Sequence, residues 1–192
     1  MIIPALIEHG ISNLRNFCQM QPGVPLKPML AKPTKSITEV LDKFENKTFT
    51  CEYKYDGERS QIHFVSRNST IDYPKAAIDT KQTEKGVAKI FSRNSEDLSK
   101  KYPDILGVLD TWIKPGVESF ILDCETVGWD KEEKKVLPFQ QLMTRKRKDV
   151  IVDDVKVRVC VFAFDLLFLN GKVKSRSDIQ CRSPRTNTVS SL

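Results

Sequence analysis

An α+β domain, built on antiparallel strands with helices at its flanks, is the fold class that the sequence predicts. Three observations carry it. Apolar and polar residues alternate through Phe49, Cys51 and Tyr53 against Thr50, Glu52 and Lys54, and again through Phe120, Leu122 and Cys124 against Ile121, Asp123 and Glu125. A period of two is the strand signature. Asp56-Gly57, a hairpin signal, separates the first of these runs from the strand read at 59–64. Ser36-x-x-Glu39 is a capping box opening a segment whose apolar residues recur at helical spacing.

The elements follow in order. Residues 2–17 read as a short helix with apolar positions at Ile3, Leu6, Ile7, Ile11 and Leu14, interrupted at Gly10. Pro22, Pro25, Pro28 and Pro33 make the next segment extended and stiff. In the helix after the capping box, Ile37, Val40, Leu41 and Phe44 form a stripe that reads as core. Strands at 48–55 and 59–64 meet at Asp56-Gly57, so Phe49, Cys51 and Tyr53 face inward while Lys54 looks into a cleft.

Ser66-Arg67-Asn68-Ser69 recurs as Ser92-Arg93-Asn94-Ser95, and the stretch between is polar and without period, which reads as an insertion near residues 65–86. Lys89-Ile90-Phe91 is the strand that leads into the second copy. In the strand 120–127, Asp123 and Glu125 share a face. Two carboxylates seldom enter a dry core unpaired, so that face meets solvent, a metal or a polar ligand. Residues 155–169 hold a strand apolar on both faces near its end, hence central, and Asn170-Gly171 closes it. Residues 172–192 are polar, basic and aperiodic, the composition of a disordered tail.

Composition narrows the function. A formal charge of +6, from 31 basic and 25 acidic residues, suits a polyanionic partner. Five cysteines without a Cys-x-x-Cys pair fit a reducing intracellular compartment, with Cys51, Cys124 and Cys160 reading as buried thiols in strands. His9 and His63 stand far apart, outside any metal-ligand pattern, and no stretch is long and apolar enough for a membrane span. A lysine that attacks phosphorus needs a desolvated or assisted amine and a triphosphate held in line. Lys54, set among Asp56, Gly57 and Arg59, has the neighbours for that task; an ordinary strand-end turn with a surface lysine has the same residues.

Glu52-Tyr53-Lys54-Tyr55-Asp56-Gly57-Glu58-Arg59 resembles the Lys-x-Asp-Gly-x-Arg nucleotidyltransferase signature of ATP-dependent DNA ligases. Further segments agree in order: Pro25-Leu26-Lys27-Pro28-Met29-Leu30-Ala31 before it, then Phe91-Ser92-Arg93-Asn94, Phe120-Ile121-Leu122-Asp123-Cys124-Glu125, Pro138-Phe139-Gln140, Thr144-Arg145-Lys146-Arg147-Lys148 and Phe162-Ala163-Phe164-Asp165-Leu166-Leu167. The resemblance covers 3–171 and is nearer to the eukaryotic nuclear replicative and repair ligases than to capping enzymes or RNA ligases. It implies an incomplete ATP-grasp-like adenylation domain at 25–171, preceded at 1–24 by the end of a DNA-binding domain and its linker.

What the resemblance implies for chemistry is lysyl-AMP formation followed by sealing of a 5′-phosphorylated nick, with ATP and Mg²⁺ as cofactors, nicked duplex DNA as partner and the nucleus as location. Lys54 is then the nucleophile, Arg59 lies near the nucleotide phosphate, and Arg93 holds the ribose and the DNA 5′-phosphate. Glu52 contacts the adenine edge, Phe164 stacks on the adenine, and Glu125 receives a ribose hydroxyl or helps place the metal. Lys27 and the Arg145-Lys146-Arg147-Lys148 patch are candidates for DNA phosphates. The later Glu-Gly motif, the paired lysines and the oligonucleotide-binding barrel of the family are not found in these 192 residues. The resemblance therefore implies a fragment, with a missing catalytic half or a protein partner as its counterpart. Two readings remain beside it: a binding remnant without turnover, and an RNA ligase or capping-type nucleotidyltransferase.

Overall fold

The computed structural model of the chain describes residues 2–47, 49, 51–71, 81–146, 150, 152 and 155–174, without the side chains of Ile2, Arg15, Lys81 and Gln82. Its centre is an antiparallel sheet. The strands are β1 (Glu58–Ser66), β2 (Lys81–Gln82), β3 (Gly86–Ser92), β4 (Ser119–Asp130), β5 (Lys135–Val136), β6 (Arg158–Leu169) and β7 (Lys172–Val173). Their order is β2-β3-β1-β4-β6-β7, with β5 paired to β4. The helices are α1 (Ile2–Phe17), α2 (Ile37–Phe44), α3 (Pro103–Trp112) and α4 (Phe139–Met143). The antiparallel α+β expectation is met.

Alternation decides which face of the sheet becomes core. Ile62 and Phe64 of β1, Ala88 and Ile90 of β3, Phe120 and Cys124 of β4, and Val159 and Val161 of β6 form one buried cluster. Ile105, Leu106 and Leu109 of α3 close over it, joined by Leu98, Tyr102 and Leu142. Proline at the first position starts α3, and Asp104 in its first turn suits the positive end of the helix. Asn170 and Gly171 both take positive φ (46° and 79°), which turns β6 into β7 with Leu169 paired to Lys172. Lys172 and Val173 thus belong to a strand rather than to a disordered tail; residues 175–192 lie outside the described residues.

The other face of β1 carries Arg59, Gln61 and His63, beside Asp123 and Glu125 of β4. The linker after α1 crosses it. The Gly23 N–H donates to His63 Nδ1 at 2.8 Å, and the Leu26 N–H donates to Gln61 Oε1 at 2.9 Å. Because Nδ1 accepts, the His63 proton sits on Nε2, which donates to Gln61 Oε1 at 3.0 Å. Burial pushes the fully buried His63 imidazole down to about 3.

Three expectations are corrected. The strand at 48–55 does not form: residues 51–56 have no regular structure, and Cys51 and Tyr53 are exposed rather than inward. Strand β1 instead begins at Glu58 and pairs with β3 and β4, so Asp56-Gly57 is the approach to a central strand and not a hairpin turn. The α2 stripe is not core either, with Ile37 78% and Leu41 56% exposed despite a Ser36 cap on the Glu39 N–H. Local capping and periodicity set a helix, whereas burial needs a partner surface that the described residues do not provide. In α1, Gly10 (φ 71°) interrupts the helix as expected, and Ile3, Ile7 and Ile11 stand exposed. The flanks of the 65–86 stretch extend β1 and form β2, while 72–80 lies outside the described residues.

Candidate functional site

Three successive residues at the head of β1 each meet a different group. The Gly57 N–H favours the charged form of the Glu125 carboxylate. Glu58 accepts from Lys101 Nζ at 2.7 Å and from the Tyr102 hydroxyl. Arg59 donates from Nε and Nη2 to the two oxygens of Asp123, at 2.9 and 2.5 Å. Gly57 is required by contact rather than by φ, since a Cβ there would lie 2.3 Å from the Thr126 carbonyl oxygen.

Lys54 lies exposed in the irregular segment that leads into this clamp. Its neighbour Tyr55 is stacked on Phe162 of β6, with ring centroids 3.9 Å apart and planes 11° apart, which lays the segment against the sheet. The Lys54 charge reaches Glu125, whose carboxyl is pushed up by burial against the pull of the Gly57 N–H, Lys54 and Arg59. Register explains the grouping: Arg59 pairs with Glu125 across β1 and β4, and Glu125 pairs with Phe162 across β4 and β6. Asp123 pairs with Asp165 while Cys124 pairs with Ala163, so Phe164 is the extra residue of a bulge. It stands 43% exposed, with Arg59 Cζ 5.2 Å from its ring. The Arg59 guanidinium is held charged chiefly by the Asp123 hydrogen bonds.

Lys54, Arg59, Glu125 and Phe164 thus converge on one corner of the sheet. Arg93 leaves the same end, since Ser92 pairs with Ser60, but it is exposed and makes no hydrogen bond or ion pair among the described residues. Glu52 is likewise exposed. The basic patch is corrected in part. Arg145 is buried and donates from Nη2 to Asp104 at 2.5 Å, over the Tyr102 ring at 5.0 Å, so it is internal, while Arg147 and Lys148 lie outside the described residues. Sequence reasoning passed over Glu58, Gln61, Lys101 and Tyr102. The polar alternation Arg59, Gln61, His63 opposite Ile62 and Phe64 was the available signal for a built second face; nothing local links Lys101 or Tyr102 to Glu58.

A profile of the ATP dependent DNA ligase domain matches residues 28–74 and 76–185, most of the chain and all of this corner. The chain belongs to the ATP-dependent DNA ligase family. DNA ligase 1 of Schizosaccharomyces pombe is 56% identical over 172 residues, covering 90% of this chain and 20% of that protein. DNA ligase 1 of Arabidopsis thaliana is 50% identical over 182 residues, with 95% and 21% covered. DNA ligase 1 of Saccharomyces cerevisiae is 49% identical over 177 residues, with 90% and 20% covered. This ligase-family chain therefore spans about a fifth of the length of the curated relatives that it matches. A solved structure, "mycobacterial DNA ligase D complexed with ATP and MES", aligns at a TM-score of 0.41 and 23% identity, over 64% of this chain and 30% of that one. The described residues contain no helix long and apolar enough to cross a membrane.

Proposed function

We propose that this chain carries the nucleotide-charging corner of an ATP-dependent DNA ligase. The Lys54 amine attacks the α-phosphorus of ATP, forming an N–P bond as the P–O bond to pyrophosphate breaks and the amine releases its proton to solvent. The AMP then passes to the 5′-phosphate of a nick in duplex DNA, and the adjacent 3′-hydroxyl displaces AMP to close the strand. The observation that carries this reading is the convergence of Lys54, Arg59, Glu125 and Phe164 at one corner within the matched family region.

Arg59 meets the nucleotide phosphate. Its fork on Asp123 uses Nε and Nη2, leaving Nη1 to donate. Phe164, lifted out of the ladder by the bulge, offers an open ring face to the adenine. Glu52 supplies the adenine edge contact, and Arg93 the ribose and the 5′-phosphate of the nick. Glu125 fits either a ribose hydroxyl or one ligand place on Mg²⁺. Among the described residues no three acidic, histidine or cysteine side chains group around a metal. Mg²⁺ is an ion commonly bound by one or two carboxylates together with phosphate oxygens and water. Bound there, Mg²⁺ would offset phosphate charge. Nicked DNA and the nucleus are the partner and place this reading assigns.

A second reading, binding without turnover, is favoured by the exposed apolar residues of α1 and α2. One experiment separates the two. Folded protein is incubated with α-labelled ATP and Mg²⁺ beside Lys54→Ala, then denatured and assayed for covalent AMP. Label in the parent and not in the variant supports charging; none in either supports binding alone.

A further inference from the structure

The Lys54 segment has no strand or helix of its own, so its position is set by the Tyr55–Phe162 stack and by what anchors residues 57–59. Two of those anchors, Glu125 and Asp123, come from β4 on the face that holds the candidate site. The third comes from the other side of the strand. There the Glu58 carboxylate, 22% exposed, meets Lys101 Nζ at 2.7 Å, and the Lys101 side chain is only 4% exposed. The Tyr102 hydroxyl donates to the same oxygen, Oε2. Both donors sit where the chain enters α3, and the Tyr102 ring is fully buried in the core between Lys101 and Arg145. Burial and the Glu58 charge together push the Tyr102 phenol up, so it stays a donor.

We infer that Glu58 is a positioning residue for nucleotide charging, locking the approach to β1 onto the start of α3 so that Lys54 is presented in line. The inference rests on the charging reading given above. It assigns Glu58 no contact with ATP or DNA. Its carboxylate is spent on two donors from a segment rooted in the core, and it lies on the strand side opposite Arg59. The arrangement suits a fixing role. One oxygen accepting from two buried donors is a charge-assisted joint that cannot slide without leaving an ammonium unpaired. Gly57, immediately before it, runs close against β4, where an added methyl group would collide with the Thr126 carbonyl. The head of β1 is thus held from both sides, and only the Glu58 side is free of groups that would touch substrate.

The test uses Glu58→Gln, Glu58→Ala and Tyr102→Phe in the full chain, with two measurements. Hydrogen–deuterium exchange reads the amides of residues 51–60 against those of β6. Single-turnover AMP capture over a range of ATP concentrations reads the maximal rate and the half-saturating ATP separately. Exchange at Gly57, Glu58 and Arg59 rises about tenfold with β6 unchanged, the local opening expected when an anchor is lost. The maximal rate falls by up to about 10²-fold in Glu58→Ala, the cost of a displaced reacting group, and less in Glu58→Gln, whose amide oxygen still accepts. Half-saturating ATP stays within about twofold, since no nucleotide contact is removed.

Unchanged exchange at 57–59, or a rise in half-saturating ATP at an unchanged maximal rate, overturns the inference. So does an equal rise in β6 exchange, which would make Glu58 a general support of the fold. If Glu58→Ala does not fold, Tyr102→Phe, which keeps the ring, decides. If the parent captures no AMP, the charging reading fails for this chain, and exchange at 57–59 alone decides whether Glu58 fixes the motif.

Discussion

Arg59 grips Asp123 side-on through two hydrogen bonds of 2.9 and 2.5 Å, from adjacent strands of the same sheet. The pair explains how a carboxylate 5% exposed is tolerated beneath the corner, and it orients the one guanidinium nitrogen left for a ligand. Asp123→Asn should therefore cost about 2 kcal/mol of stability, the loss of a charged hydrogen-bond pair. It should also slow AMP capture at least about tenfold by freeing the fork. Chemical denaturation and the labelled-ATP assay read the two effects. A variant with full stability and full labelling would show that Asp123 does not hold Arg59.

Gly57 tests the backbone. Gly57→Ala places a methyl group 2.3 Å from the Thr126 carbonyl oxygen, and the obstacle is main chain that cannot turn aside. A loss of about 1–3 kcal/mol, the range for overpacking, is expected in thermal unfolding. Gly107→Ala, where nothing lies within 4 Å of the added carbon, is the control and should be neutral or stabilising.

His63 sets a pH dependence. Its native value of about 3 lies below the ordinary 6.5, so the unfolded chain binds the extra proton first. Stability contributed by the neutral ring is complete above about 6.5 and is lost as pH falls toward about 3, by up to about 1.4 kcal/mol per pH unit. Urea midpoints of the parent and His63→Gln between pH 7 and pH 5, above most carboxylate titration, check it. The parent should fall more steeply, and parallel curves would remove His63 as the cause.

Arg145 separates charge from contact. Its side chain is 3% exposed and paired with Asp104, so Arg145→Met should cost about 3 kcal/mol by leaving a carboxylate unpaired. The salt dependence of DNA binding by the folded variant should not change, because a buried guanidinium releases no counterion. Exposed Lys146 is the contrast: Lys146→Ala should leave stability unchanged and, if it meets a phosphate, lower the salt slope by about 1. Titration of fluorescent nicked duplex at several salt concentrations reads both.

Much of this was legible in the chain. Strand β4 and the shared face of Asp123 and Glu125 follow from a period of two, β6 from a run apolar on both faces, and the Asn170-Gly171 turn from glycine's tolerance of positive φ. Phe49, Cys51 and Tyr53 obey the same alternation and yet form no strand. A strand needs a neighbour to satisfy its backbone, and the sheet takes up its partner for β4 only from Glu58 onward. Arg145 and Lys146 are adjacent and alike in charge, but one is internal and the other exposed. Composition has no means of telling them apart.

By itself the sequence determined the family, the Lys-x-Asp-Gly-x-Arg element and which residues of each strand share a face, because these depend on residue identity and on spacing along the chain. Only the tertiary structure decided that Arg59 is bound to Asp123, that Glu58 is held by Lys101 and Tyr102, and that a bulge turns Phe164 outward. Each of those joins residues dozens of positions apart or rests on a one-residue register shift between β4 and β6. Strand pairing across the whole sheet sets such contacts, and no local pattern encodes them.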